Sequence, residues 1–284
     1  MKQSRKVFFW AFLALSGVCA SYIFWPSLFA KNPGLADISS LSGDPERGEY
    51  VLRMAGCVAC HTDIENEGKF LAGGPAIKTP FGTFYAPNIT ADPRNGIGGW
   101  SMDDFVRALT MGISPEGEHY YPAFPYTSYT RLKGQDIRDL KAYLDTVEPV
   151  TEASKPHELK WPFSIRRSLV VWKRINFEPG FAPVSSGGDI NSRGAYLVNG
   201  PGHCAECHSN RNILGGLDSE DPLAGNKNGP ENHPVPAIAG PKSRIREWNK
   251  EDLVFYLQTG IRPDGDAAGG AMSEVIFEST SYLE

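Results

Sequence analysis

Apolar positions along the chain form one continuous block and then several short periodic segments. The block runs from Val7 to Trp25, follows Lys2, Arg5 and Lys6, and is broken mildly by Ser16, Gly17 and Ser21. It approaches the roughly 20 residues a membrane-spanning helix needs and exceeds the roughly 7–15 of a signal-peptide core. Basic residues before it and none within it place the N-terminus in the cytoplasm and the remainder outside. Residues 1–30 are therefore expected to form an N-terminal transmembrane anchor; cleavage after Ala20 or Ala30 would instead make them a signal.

Beyond the block the pattern predicts short helices. One is expected near Glu46–Met54 and a second near Asn191–Val198, each running into a pair of cysteines. Ser101 and Asn249 each stand three residues before an aspartate, Asp104 and Asp252, the spacing of a helix N-terminal cap. The helices they open should end at Gly112 and Gly260 in left-handed caps. Ile137, Leu140, Tyr143 and Leu144 have helical spacing within 135–145. The glycine- and proline-rich stretches between, 72–75 and 80–83, show no period and read as loops; the 30 glycines and 22 prolines of the 284-residue chain agree.

These segments occur twice. Residues 47–61 read RGEYVLRMAGCVACH and residues 193–208 read RGAYLVNGPGHCAECH. Trp100-Ser101-Met102-Asp103-Asp104-Phe105 is matched by Trp248-Asn249-Lys250-Glu251-Asp252-Leu253, and Gly112–Gly117 by Gly260–Gly265, at one constant offset. Such self-similarity is the mark of a duplicated unit. The expected organisation is an anchor over 1–30, a first domain over 44–148, a linker over 149–188 and a second domain over 189–284. The linker holds Pro149, Pro156, Pro162, Pro179 and Pro183, and an apolar patch from Trp161 to Trp172 that should pack on its neighbours. No counterpart of the 135–145 helix follows in the second copy before Glu284, so a missing C-terminal helix is expected there.

Composition narrows the chemistry. A net charge of −5 argues against nucleic acid as a partner. Four of the five cysteines form Cys57-Val58-Ala59-Cys60-His61 and Cys204-Ala205-Glu206-Cys207-His208. The fifth, Cys19, lies in the apolar block after Val18 and reads as a small hydrophobe. Two thiols at this spacing can add to the two vinyl groups of a haem, and the histidine that follows then lies under the iron. A redox pair would not require that histidine, and structural zinc would want further ligands at regular spacing from only four other histidines. Two covalently bound haem c groups are therefore expected, held by Cys57, Cys60, His61, Cys204, Cys207 and His208.

The sixth iron ligand is less evenly specified. Met272, in Gly269-Gly270-Ala271-Met272, sits in a glycine-rich loop from which its sulfur could reach the second iron. At the matching position the first copy has Phe124, which cannot ligate. For the first iron three readings stand: His119; Met102 or Met111 from the preceding helix; or no sixth ligand from this chain. His119 could equally be an exposed loop residue. His157 and His233 read as solvated, His203 as either near a haem edge or exposed, Pro87 and Pro236 as matching loop braces, and Trp100 and Trp248 as core.

With these residues in view, positions 44 to 284 resemble di-haem class I cytochromes c, above all the cytochrome subunits of periplasmic alcohol, aldehyde and gluconate dehydrogenases. The resemblance lies in Arg47-Gly48-Glu49-Tyr50, Phe70-Leu71-Ala72-Gly73-Gly74, Thr79-Pro80-Phe81-Gly82-Thr83, Pro87-Asn88-Ile89-Thr90, Gly96-Ile97-Gly98, Tyr121–Tyr126 and Arg193-Gly194-Ala195-Tyr196. It implies an all-α fold of two tandem class I domains after the transmembrane helix, with iron held by His61 and by His208 with Met272. It further implies a periplasmic dehydrogenase as electron donor, and the quinone pool or terminal-oxidase side of the respiratory chain as acceptor. The expected location is the bacterial inner membrane with the haem domains in the periplasm. Phe124 departs from relatives with methionine there and leaves a second reading open: a di-haem enzyme, a peroxidase or sulfur-compound oxidase, acting at the first haem.

Overall fold

A computed structural model describes residues 10, 17, 35–180, 189–218, 220–230 and 233–283. The Val7–Trp25 block, apart from Trp10 and Gly17, and linker residues 181–188 lie outside these. No helix among the described residues is long and apolar enough to cross a membrane.

In the first repeat, α1 (Leu35–Ser40) leads to α2 (Pro45–Met54) and α3 (Cys57–His61), then after a long loop to α4 (Met102–Met111), α5 (Tyr126–Tyr129) and α6 (Gly134–Leu144). Local chemistry sets these limits. Asp44 caps α2 by accepting from the backbone N–H groups of Glu46 and Arg47, with Pro45 at the first helical position. Ser101 and Asp104 form the expected reciprocal cap of α4, which ends at Gly112 with φ 61°. Helices α2 and α6 cross closely at Gly48: a Cβ there would lie 2.1 Å from the Asp139 carbonyl oxygen. Around this crossing Leu52, Val106, Leu132, Ile137 and Leu140 form the centre of one buried core. Each fully buried side chain of that kind contributes about 1.5–3 kcal/mol.

The expected all-α architecture needs one correction. Between and beyond the loops expected at 72–75 and 80–83 stands a hairpin of β1 (Ala76–Thr79) and β2 (Gly82–Tyr85), and β3 (Glu158–Leu159) from the linker pairs antiparallel with β2. The Thr79 hydroxyl donates to the Gly82 carbonyl and accepts from the Phe81 N–H, which closes the turn. Gly82 has φ 134°, and a Cβ there would meet the Glu158 carbonyl oxygen at 2.3 Å. Such short strands carry too few positions for alternation to show.

The linker is fastened to the first repeat. Asn88 donates to the carbonyls of Val150 and Glu152, and Val150 N–H donates to Thr90 Oγ1. Helix α7 (Leu169–Asn176) buries Leu169 against Phe84 and Tyr121. The expected apolar patch is thus only partly covered, since Trp161 is 81% exposed.

The second repeat holds α8 (Ile190–Asn199), α9 (Ala205–His208), α10 (Lys250–Thr259) and α11 (Ala271–Glu278). Asn249 and Asp252 form the expected cap of α10, and Gly260 ends it at φ 77°. Beyond residue 189, Tyr196 and Ile276 are the apolar side chains in the buried core among the described residues. Gly194, the counterpart of Gly48, has no atom within 4 Å of a built Cβ. The second repeat gains its cover instead by lying against the first: α11 packs on α3, and Arg53 of α2 lies 3.7 Å from Glu278 and stacks over Tyr282.

Candidate cofactor-attachment site

Both CXXCH segments sit in the same hydrogen-bonded frame. His61 donates through Nδ1 to the Pro87 carbonyl at 2.7 Å, and His208 through Nδ1 to the Pro236 carbonyl at 2.8 Å. A carbonyl only accepts, so Nδ1 carries the proton and Nε2 keeps its lone pair. Burial holds both imidazoles below the usual histidine pKa, which favours this neutral form. The matching prolines therefore act through their carbonyls, orienting the histidines, rather than through their rings.

A leucine in each copy joins the histidine side of the frame to the proline side. Leu71 N–H donates to Thr62 Oγ1, and Leu71 carbonyl accepts from Ile89 N–H. Leu223 N–H donates to Ser209 Oγ, and Leu223 carbonyl accepts from Ile238 N–H. Both leucines hold positive φ, 57° and 63°, a conformation that costs a side chain about 1–2 kcal/mol. Gly73 and Gly225 then donate to the carbonyls of His61 and His208. The part played by these leucines was not read from the sequence, although the repeated Leu-Ala-Gly at 71–73 and 223–225 carries the signal.

The thiols are far from reactive thiolates. Burial pushes the Cys57 pKa up to about 12 and that of Cys204 up to about 11, and it raises Cys207. A thiol–disulfide catalyst needs the opposite shift. Cys60 reaches the surface, and burial of its surroundings first, then Cys207 and Glu274, raises its pKa to about 11. Helix α11 packs on α3, the helix that carries Cys60. No cluster of three or more His, Cys, Asp or Glu among the described residues is arranged to hold a metal ion by protein donors alone. Paired thiols with an imidazole Nε2 beside them fit a covalently attached haem.

The remaining candidates are placed as follows. Met272 stands in the first turn of α11 rather than in a loop, because the glycine-rich run ends at Gly270, the residue before the helix. Phe124 packs on the first core, its ring near those of Tyr120, Tyr126 and Tyr129. Matching turns after Gly112 and Gly260, with Tyr120 N–H donating to Gly112 and Ala268 N–H to Gly260, keep Phe124 and Met272 in register. His119 is half-buried with no hydrogen-bond partner for Nδ1, and burial and then Lys173 lower its pKa to about 4. Its carbonyl accepts from Arg166 of the linker. Met102 lies against the first core with its sulfur 4.0 Å from the Arg138 guanidinium, and the Met111 carbonyl accepts from Lys173.

His233 is exposed, as expected. His157 is not solvated: its ring packs on Phe84 and Tyr121, and it accepts from the Tyr85 N–H. The β1–β2 hairpin, which carries Phe84 and Tyr85, supplies those neighbours. Trp100 packs on the first core, and Trp248 is half-buried with its ring against Tyr256.

A helical frame that presents two equivalent CXXCH segments, each histidine fixed through Nδ1, defines a c-type cytochrome with two covalently bound haems. The chain belongs to the di-haem cytochrome c family. It is 42% identical over 261 residues to a "Diheme cytochrome c-type" protein of Cereibacter sphaeroides, covering 91% of this chain and 84% of that one. It is 38% identical over 247 residues to the cytochrome c subunit of a quinone alcohol dehydrogenase of Gluconobacter oxydans, and 42% over 241 residues to the fructose dehydrogenase cytochrome subunit of Gluconobacter japonicus. Each of these two alignments covers 84% of this chain, but 51% and 49% of those subunits, so the chain spans about half their length. No protein-family model matches the chain.

Proposed function

We propose that this protein is a membrane-anchored electron relay that accepts single electrons from a periplasmic dehydrogenase and passes them towards the respiratory chain. The matched pair of Nδ1–proline carbonyl bonds carries this reading, because it leaves Nε2 of His61 and of His208 for iron. Cys57 and Cys60 bind one haem and Cys204 and Cys207 the other. When bound, each haem supplies an iron that cycles between ferric and ferrous states by one electron. The chain's own work is to orient the imidazoles and to set the sixth ligand. Met272 is the proposed sixth ligand of the second iron, and His119, whose Nδ1 lacks a partner, the candidate for the first.

The donor assignment rests on the named relatives that are dehydrogenase cytochrome subunits. The basic residues before the Val7–Trp25 block support an inner-membrane anchor with the haem segments in the periplasm. The test is low-temperature electron paramagnetic resonance of the oxidised protein beside a His119→Ala variant. Two low-spin centres inert to cyanide and peroxide support a relay; a high-spin centre that binds peroxide rapidly would favour catalysis at the first haem. Unchanged signals in the variant would remove His119 as a ligand.

A further inference from the structure

The residue immediately before the first cysteine has positive φ in both copies. In the first copy it is Gly56, at φ 64°, where glycine adopts the conformation freely. In the second copy it is His203, at φ 37°, a region L side chains rarely enter. The two residues meet across the repeats: a Cβ built on Gly56 would lie 3.4 Å from His203 Nε2. His203 Nε2 donates to the carbonyl of Ala55 at 3.2 Å, and that same oxygen accepts from the Tyr129 hydroxyl at 2.5 Å. The His203 and Tyr129 rings stack edge to face with centroids 5.7 Å apart. Only Gly56 separates Ala55 from Cys57 along the chain, and His203 is bonded to Cys204.

A second contact holds the same strip in place. Glu206, inside the second CXXCH, accepts from Thr127 Oγ1 at 2.6 Å and from Ser128 Oγ at 3.0 Å, and pairs with Arg211. The helix carrying Thr127, Ser128 and Tyr129 is thus gripped from both ends by residues of one haem-attachment segment. A histidine kept in a glycine conformation, with its proton spent on the partner segment, is strain stored where two functional segments join.

We propose that His203 is a positioning residue that sets electron exchange between the two haems by locking the Cys204 segment to the Ala55–Cys57 segment. This rests on the relay reading. With haems held at Cys57, Cys60 and His61 and at Cys204, Cys207 and His208, the step served would be transfer of one electron from a ferrous to a ferric centre. No bond forms or breaks and no proton is transferred. Tyr129 completes the junction as the second donor to the Ala55 oxygen.

The test uses the haem-loaded full chain and the rate of intramolecular electron exchange after photoreduction by less than one electron per molecule. The variants are His203→Gly, which relieves the backbone and removes the donor, and His203→Gln, which restores a donor of similar reach. Electron exchange falls as two centres move apart, so His203→Gly, which loosens the junction, is expected to slow exchange below the parent rate. Both midpoint potentials and both low-spin spectra should hold, while the magnetic interaction between the ferric irons changes; His203→Gln should recover most of the rate. A purely structural role predicts that His203→Gly, freed of strain, exchanges as fast as the parent, and that result would overturn the proposal. A parent protein with two haems that exchange no electron would instead overturn the relay reading beneath it.

Discussion

The Lys173 side chain of the linker helix donates to the carbonyl oxygen of Gly112, the left-handed cap of α4, at 2.7 Å. It donates equally to the Met111 carbonyl and lies over the Tyr126 ring, so a linker residue satisfies the end of a helix in the first repeat. The side chain is only 2% exposed, and burial pushes its pKa from 10.5 down to about 7. A folded-state value below the unfolded one means that the unfolded chain binds more protons between pH 7 and 10.5. The contribution of this lysine to stability is therefore fully present above pH 10.5 and is lost as pH falls towards 7. The melting temperature of the parent, measured at pH 7, 8 and 9, should rise relative to that of Lys173→Met. Parallel curves would show that the amine carries no such shift.

Gly48 and Gly194 hold the same place in the two copies but different surroundings. A Cβ at Gly48 would strike the Asp139 backbone and the Tyr143 side chain, while one at Gly194 meets nothing within 4 Å. Gly48→Ala is expected to lower unfolding free energy by about 1–3 kcal/mol through overpacking of the α2–α6 crossing. Gly194→Ala is expected to be neutral or stabilising by up to about 1 kcal/mol, since alanine favours helix. Denaturant melts of the two variants, with haem content matched, distinguish these outcomes. Equal losses in both would mean that the second glycine also faces a close neighbour.

Methionine ligation raises an iron's reduction potential relative to an unligated or nitrogen-ligated site. Met272→Ala should therefore lower the potential of one haem and leave the other unmoved in a spectroelectrochemical titration. Two unmoved potentials would remove Met272 from the coordination sphere and assign it to packing of α11 on α3.

Much of this fold was legible in the order of residues. The caps at Ser101–Asp104 and Asn249–Asp252 and the glycine ends at Gly112 and Gly260 are local signals, decided by neighbours within one turn. The CXXCH segments were legible for the same reason. What escaped depends on distant partners. The β1–β2 hairpin is too short for alternation, and it gains a third strand from residues more than seventy positions later. His157 reads as a loop histidine until the Phe84 and Tyr121 rings close around it. His203 was undecided because its partner, the Ala55 carbonyl, lies in the other repeat. Met272 read as loop because Gly269 and Gly270 directly precede the helix that carries it.

The central claim is that each CXXCH segment carries one haem through two thioether bonds. Intact mass followed by peptide mapping of the denatured protein tests it most directly. The account predicts a mass increased by two haem groups, one retained on the peptide containing Cys57 and Cys60 and one on the peptide containing Cys204 and Cys207. A colourless polypeptide of unmodified mass, or both segments recovered with free thiols, would contradict it.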